Sequence, residues 1–475
     1  EMAMDILPVL IPVRMGKQPA SKLNLPNIRL LMNYDERRQQ LADTLKQQTT
    51  GTVRLDKTTS NVFRDRPNAQ SESLLDVSQF NHVLNVDPQN NLIETEGMTT
   101  YEALVDQSLS HGVMPAVVPQ LKSITIGGAV SGIGIESSSF RYGLPHESIG
   151  EMDVLLGNGE VVTCTPDNEH RDLFYGLANS YGTLGYILRL TVLAIPVKPY
   201  VQLTHIRFAD VDALFDAVRT WTERDIDFID GTVFQPGKHY LTIGRFVDDA
   251  PYTSDYTWMD VYYRSIPTRS EDFLTVRDYL WRWDTDWFWC SKNLYVQNRP
   301  MRRLLGRKRL NSITYQKVMR WNTRWGITRR VGNLSGQHRE SVIQDIDVPI
   351  DRAAEFLDFF HREIGIRPIW ICPVGHSAQN EPYPLFPMAA ESMYVNFGFW
   401  DGVKTKMKLP TGHFNRLIEQ KVTELGGIKS LYSDAYFDEA DFWSIYDGDS
   451  YAALKAKYDP GDRLKNLYQK CVLRQ

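Results

Sequence analysis

At 475 residues and 54.7 kDa the chain exceeds one ordinary core. With 42% hydrophobic and 23% charged residues it is expected to form two or three packed globular units. Its 53 basic and 58 acidic residues give a net charge of −5, which argues against a dedicated nucleic-acid binder. Four cysteines, at 164, 290, 372 and 471, are scattered with no Cys-x-x-Cys pair, so neither a disulfide framework nor a structural zinc site is expected. That pattern fits a reducing, cytoplasmic compartment.

Met2 to Val13 is largely apolar, but at about a dozen residues it falls short of the roughly 20 a membrane span needs. Pro8 and Pro12 also break it, so it reads as an arm, and the absence of an initiator Met fits a trimmed or engineered start. A charged helix is expected around Asp35 to Gln48. Asn91 to Glu96 alternates as a strand does, and Gly97 turns the chain. Thr99-Thr100 caps a helix over Tyr101 to Ser110, which His111-Gly112 ends. Val154 to Val162 reads as a hairpin, because Asn158-Gly159 suits the positive φ angles of a tight turn. Beyond about residue 196 the pattern becomes mixed and aromatic-rich. Helices are predicted over Asp210 to Arg224 and Asp351 to Ile364, and strands over Val342 to Val348, Pro368 to Val374 and Met393 to Trp400.

Several common sites are absent: there is no Gly-x-x-x-x-Gly-Lys-[Ser/Thr], no His-Glu-x-x-His and no Gly-x-Ser-x-Gly. Gly132-Ile-Gly134 starts like a dinucleotide fingerprint, but Ser137 stands at its third glycine position. The densest glycine and hydroxyl cluster runs from Pro119 to Gly143. Gly127, Gly128, Gly132 and Gly134 permit close backbone approach to an anion and positive φ, while Thr125, Ser131, Ser137 and Ser138 add hydroxyls. A pyrophosphate is the guest such a loop suits; a loop needing glycine only for tight turns is the plainer alternative.

Arg54 to Arg64 could form a second phosphate-facing loop, and Asp172-Leu-Phe-Tyr175 leads to Gly182-Thr-Leu-Gly185 and a strand over Tyr186 to Val192. Together these segments resemble the FAD-binding domain of the vanillyl-alcohol oxidase (PCMH-type) superfamily. The resemblance narrows with Gly132 to Gly143, Cys164-Thr-Pro166, Val342-Ile-Gln-Asp345, Pro368 to Pro373, Tyr432-Ser-Asp-Ala-Tyr436, Phe442-Trp443 and Tyr446-Asp-Gly448. These are similar to the Δ24-sterol reductase (diminuto/seladin) family over roughly residues 50 to 475. Bacterial flavoproteins that reduce a methylene-branched fatty acyl chain look similar too.

The resemblance implies an α+β protein: an N-terminal arm and helix (1–49), a two-subdomain PCMH-type FAD-binding domain (50–195), an α/β substrate or cap domain (196–430) and a C-terminal segment returning to the FAD domain (431–475). It implies reduction of an isolated lipid C=C by NADPH through FAD. Residues expected to hold FAD are Lys57, Thr58, Thr59, Ser60, Asn61, Pro119, Thr125, Gly127, Gly128, Ser131, Gly132, Gly134, Ile135, Ser137, Ser138, Tyr142, Gly143, Gly182, Thr183, Gly185 and Ile187. No histidine is placed to link the flavin, so FAD is expected to be noncovalent, and no metal is implied. The lipid is a sterol side chain, an isoprenoid or a methylene-branched acyl chain. Two other readings are an O2-using FAD oxidase of an alcohol and a lipid-binding protein without turnover.

Alkene reduction also needs a proton. Candidate acids are Tyr394, Asp434 and Tyr436, with Glu391 and His376 beside them, although structural roles suit each of these residues as well. Residues 299–330 hold 11 Lys or Arg and no Asp or Glu, interleaved with Leu304, Leu305, Leu310, Ile313, Trp321 and Trp325. This mixture suits an anionic membrane surface, NADPH phosphates or an acyl carrier; a solvated basic face is the alternative. Trp281 to Trp289 reads as a buried aromatic cluster that could frame an apolar substrate cavity.

Overall fold

The computed structural model describes residues 32–48, 51–57, 63–64, 73–325, 338–375 and 382–475. The expected arm, the loop residues Thr58, Thr59, Ser60 and Asn61, and His376 lie outside the described residues. So do residues 326–330 at the end of the basic segment.

The first layer begins with a helix over Tyr34–Gln47, started by an Asn33 and Glu36 capping box. Its Leu41, Ala42 and Leu45 pack on a two-stranded parallel sheet of β1 (Val53–Asp56) and β2 (Ser73–Asp76). Next comes a six-stranded sheet of β3 (Val83–Asp87), β4 (Leu92–Glu96), β5 (Val113–Pro115), β6 (Ile149–Leu155), β7 (Val161–Cys164) and β8 (Tyr186–Pro196). Its order is β3-β4-β8-β6-β7, with β5 pairing β8. The helix after β4 spans Tyr101–Leu109, and the Thr100 side chain accepts from the Ala103 amide at its start. Between β6 and β7 the turn departs from expectation: Gly159 alone takes positive φ, at 82°.

The second layer is an eight-stranded sheet built from β9 (Tyr200–Phe208), β10 (Phe228–Gln235), β11 (Lys238–Val247), β12 (Glu271–Thr275), β13 (His338–Pro349), β14 (Ile369–Val374), β15 (Tyr394–Thr405) and β16 (Ile428–Lys429). The order is β12-β9-β11-β10-β14-β15-β13-β16, and the pairings are antiparallel. Helices over Val211–Thr222, Ala353–Glu363 and His413–Glu424 cover one face. Each presents an apolar stripe to the sheet: Phe356, Leu357 and Phe360 meet β13, and the Val211–Thr222 helix packs on β9 and β11. Strand alternation then turns Ile343, Asp345 and Asp347 to the opposite face, toward the first layer. The α+β architecture is therefore as expected.

A buried ionic network joins the two layers. Arg282, fully buried, donates to Asp230 at 2.7 Å and lies 3.7 Å from Glu136 in the glycine-rich segment. Glu136 also accepts from the Ser137 amide (2.7 Å) and hydroxyl (2.5 Å) and from Gln120 (2.7 Å). Trp370 of β14 donates its indole N–H to Asp230 at 3.2 Å, and the Arg282 guanidinium stacks 3.9 Å from the Tyr279 ring centroid. Removing the cation leaves two buried carboxylates without their counter-ion. Arg282→Ala is expected to cost about 3–5 kcal/mol in denaturant unfolding. The cost should shrink as pH is lowered and Glu136, which burial holds above the ordinary carboxylate range, takes up a proton. Unchanged stability at neutral pH would show that the network does not join the layers.

Candidate flavin and lipid site

A cavity of about 310 Å³ opens between the layers. Its first wall comes from the glycine-rich segment, which forms a short helix over Ile126–Gly132 rather than an extended loop. None of Gly127, Gly128, Gly132 or Gly134 has positive φ; Ile133 does, at 61°. The expected backbone freedom is therefore not what these glycines supply. Close packing is. A Cβ on Gly127 would lie 2.7 Å from the Gly97 carbonyl oxygen, and one on Gly134 would lie 2.9 Å from the Pro119 ring. On Gly132 it would press to 3.2 Å against the Tyr181 ring, whose hydroxyl donates to the Gly132 carbonyl at 2.7 Å. A Cβ on Gly128 would enter the cavity itself, 2.8 Å from the Thr125 hydroxyl and 3.2 Å from Lys57 Nζ. Lys57 donates to Thr125 at 2.7 Å, so a cation and a hydroxyl converge on bare backbone.

Of the residues expected to hold FAD, Lys57, Pro119, Thr125, Gly127, Gly128, Ser131, Gly132, Gly134, Ile135, Gly182, Gly185 and Ile187 line the cavity. Five described ones lie outside its lining. Ser137, Ser138 and Thr183 are buried and spend their hydroxyls on Glu136, the Ala116 carbonyl and the Ser180 carbonyl. Tyr142 ends a short helix, and Gly143 caps it at φ 69°.

The opposite wall is aromatic: Trp287, Phe288, Trp370, Trp400 and Tyr432, with Phe63 beside them. Phe63 stacks on Trp287 at 5.3 Å, and Phe288 lies 4.1 Å from Trp400, centroid to centroid. The Trp281 to Trp289 cluster is thus buried as expected, and Trp287 and Phe288 face the cavity. The C-terminal residues Lys465, Lys470 and Arg474 close the rim, with Lys470 donating to the Tyr181 carbonyl at 2.6 Å.

The candidate acids lie elsewhere. Tyr394 is buried and accepts from the Ala389 amide at 3.1 Å; Glu391 is exposed. Asp434 pairs with Arg474 at 3.3 Å and so stands behind a rim residue. Tyr436 is held between Arg416 and Arg474, 5.4 and 5.3 Å from its ring. None of these four lines the cavity. Asp345 is the one side-chain carboxyl among the described lining residues. Burial, and then the neighbouring Asp347, push its pKa up to about 8, and burial raises Asp347 to about 7. The signal available for these acids was two carboxylates at alternate positions of the Val342 to Val348 stretch, among Val342, Ile343, Ile346 and Val348.

Among the described residues, no group of three His, Cys, Asp or Glu side chains could hold a metal ion. The fit to FAD rests on the bare Gly128 backbone beside Lys57 and Thr125, a cradle that a single Cβ would fill.

With that geometry in view, comparison with known proteins gives the class: residues 39–165 match the FAD binding domain family. The matched segment includes Lys57, Thr125 and Gly128 of the cavity wall, so the class it is similar to is that of FAD-binding proteins. More particularly, the chain is similar to Delta(24)-sterol reductases. It is 28% identical to the human protein of that name over 411 residues, covering 82% of this chain and 75% of that one. It is 26% identical to a Caenorhabditis elegans Delta(24)-sterol reductase homolog (82% and 77% covered) and 24% identical to the Arabidopsis thaliana reductase (83% and 76%). The resemblance read from the sequence is borne out.

Gly128→Val should abolish copurifying flavin absorbance while leaving the circular dichroism spectrum intact, because the two atoms it meets within 4 Å, Thr125 Oγ1 and Lys57 Nζ, belong to side chains and not to backbone. Full flavin occupancy in this variant would remove Gly128 from the site.

Proposed function

We propose that this protein saturates an isolated C=C bond of a lipid with NADPH through noncovalently bound FAD, a sterol side chain being the substrate favoured over an isoprenoid or a methylene-branched acyl chain. The observation that carries this reading is the two-ended cavity, in a chain similar to sterol reductases over 82% of its length. Its Lys57, Thr125 and Gly128 end suits a pyrophosphate, and its tryptophan and phenylalanine wall suits a hydrocarbon. Reduced FAD supplies a hydride when bound. The protein's share is to orient the alkene against the aromatic wall, exclude water and provide a proton. Among the described lining residues there is no histidine or cysteine, which supports noncovalent attachment. Ser137, Ser138, Tyr142, Gly143 and Thr183 act in this reading as supports of the wall, and Asp434 positions Arg474.

The reading predicts that anaerobic NADPH bleaches the yellow protein, and that a Δ24-unsaturated sterol in detergent restores the colour with formation of the saturated product. Bleaching by an alcohol with rapid reoxidation by air, and no response to NADPH, would instead establish an oxidase. A preparation free of flavin that cannot be reconstituted would leave only lipid binding.

We further propose that the protein works on the cytoplasmic side of an anionic membrane, with residues 299–330 as its contact. No helix among the described residues is long and apolar enough to cross a membrane. Leu304, Ile313, Val318 and Trp321 are exposed, beside exposed Arg303, Lys308, Arg309 and Lys317. Arg302 does not belong to that surface. It is fully buried and bound to Asp286 at 2.6 Å and to the Trp258 carbonyl at 2.5 Å. Arg299 and Arg307 pair with Asp260 and Asp255. A variant carrying Arg303, Lys308 and Arg309 as Gln should lose sedimentation with anionic liposomes yet keep its flavin. Wild-type binding should weaken as salt rises, since screening acts over about 8 Å at physiological ionic strength. Equal binding by both proteins would remove the membrane role.

A further inference from the structure

The proposed reaction needs an acid at the alkene, and Asp345 is the one side-chain carboxyl among the described lining residues. We propose that Asp345 is the catalytic residue that protonates the alkene, held in place by Tyr432, Trp400 and Gly398; this inference rests on the reductase reading above.

The placement follows from strand register. Asp345 of β13 pairs with Gly398 of β15, and Ser430 donates its amide to the Asp345 carbonyl at 3.1 Å. The carboxyl therefore projects toward the cavity between the strand and the aromatic wall. Gly398 makes the room: a Cβ there would lie 2.7 Å from Asp345 Oδ1 and would overlap the Trp400 ring. The Trp400 indole N–H donates to the Tyr432 hydroxyl oxygen at 2.9 Å, and Tyr432 lines the cavity together with Asp345. Oδ1 is buried, with no hydrogen-bond partner among the described residues. Protein surrounds the residue except where it opens into the cavity, which is why it retains some exposure while its carboxyl sits in low dielectric.

The groups facing it are consistent with a held proton. Asp347 stands two residues along β13 and adds repulsion to the charged form. Tyr432 and Tyr181 are themselves pushed well above their ordinary range by burial. Among the cations that line the cavity, Arg64 lies over the Tyr181 ring at 4.8 Å and donates through one Nη to the Leu431 carbonyl, while its other Nη is buried with no hydrogen-bond partner among the described residues. Lys470 donates to the Tyr181 carbonyl, and Arg474 pairs with Asp434.

In the step itself one alkene carbon accepts the hydride from the reduced cofactor and forms a C–H bond with its electron pair. The alkene π pair forms the second C–H bond to the Asp345 proton, and the O–H pair stays on the carboxylate. A proton from water that enters the cavity restores the acid. The alkene gains two electrons and two hydrogens; the nicotinamide that reloads the cofactor is oxidised.

The test separates two half-reactions of the flavin-loaded enzyme by stopped flow. Asp345→Asn should be bleached by NADPH at the wild-type rate but reoxidised by a Δ24-unsaturated sterol about 10²–10⁴-fold more slowly, the usual contribution of a general acid. Gly398→Ala, which crowds the carboxyl, should slow the same half-reaction and spare the first. In the wild type the sterol step should fall as pH rises through about 8, where the acid deprotonates. Infrared titration gives a readout without turnover: the component of the protonated-carboxyl band that titrates near pH 8 should remain in Asp347→Asn with a lower midpoint, since the repulsion is gone, and be missing from Asp345→Asn. Wild-type sterol reoxidation in Asp345→Asn, or an unchanged carboxyl band in that variant, would overturn the proposal. A wild-type enzyme that NADPH does not bleach would overturn the reductase reading instead.

Discussion

The Glu136–Arg282–Asp230 network is the constraint on which the site depends, because it joins two layers that meet only partly through apolar contact. Glu136 leads directly out of the glycine-rich segment, and Asp230 lies within the eight-stranded sheet. The Arg282 guanidinium acts beside the bonds from the Ile229 amide to the Ser137 carbonyl (2.8 Å) and from the Gly375 amide to the Ser139 carbonyl (3.1 Å), which also tie the two walls together. Burying three charges is costly unless each is paired and hydrogen-bonded. Here Gln120, Ser137 and Trp370 supply the remaining bonds. Such a network gives less net stability than apolar packing would, but it permits a single relative placement of the two layers.

With the layers fixed, the chemistry of the cavity divides along its length. Close-packed glycines bring main chain to the surface at one end, where Lys57 and Thr125 meet it. At the other end Phe288, Trp370 and Trp400 pack against one another and present ring faces and edges. The C-terminal segment binds back to the first layer, Lys470 of the rim donating to the Tyr181 carbonyl and Lys455, outside the lining, to the Thr183 carbonyl. A hydrocarbon held against the aromatic wall would lie beside Asp345, the carboxyl whose low-dielectric setting favours its protonated form.

Local patterning carried much of this to the surface of the sequence. The Thr100 cap and the helix after it, the alternation of β13 and β15, and the amphipathic helices of the second layer all follow from short-range rules that tertiary contact did not override. The glycine cluster was legible as cavity lining, yet for the wrong backbone reason. Spacing cannot distinguish a glycine that needs positive φ from one that needs an absent Cβ. Arg302 shows the same limit. A basic run reads as a surface, and only the fold brings Asp286 to the one member that is buried. The proton donor was sought in the C-terminal aromatic strands because tyrosines and acids cluster there. Asp345 went unnoticed as an acid because its significance arises from Gly398, Tyr432 and Trp400, which lie 53, 87 and 55 positions away and meet it through sheet pairing and the C-terminal return.

The central claim is that one cavity holds the cofactor and the lipid end to end. A density map of the flavin-loaded protein at side-chain resolution tests it most directly. The account predicts the pyrophosphate against Lys57, Thr125 and Gly128, with the flavin ring reaching past Gly182 and Gly185 toward Trp400 and Asp345. A flavin bound outside this cavity, or one whose ring fills the space against the aromatic wall and leaves no room for an alkene beside Asp345, would contradict it.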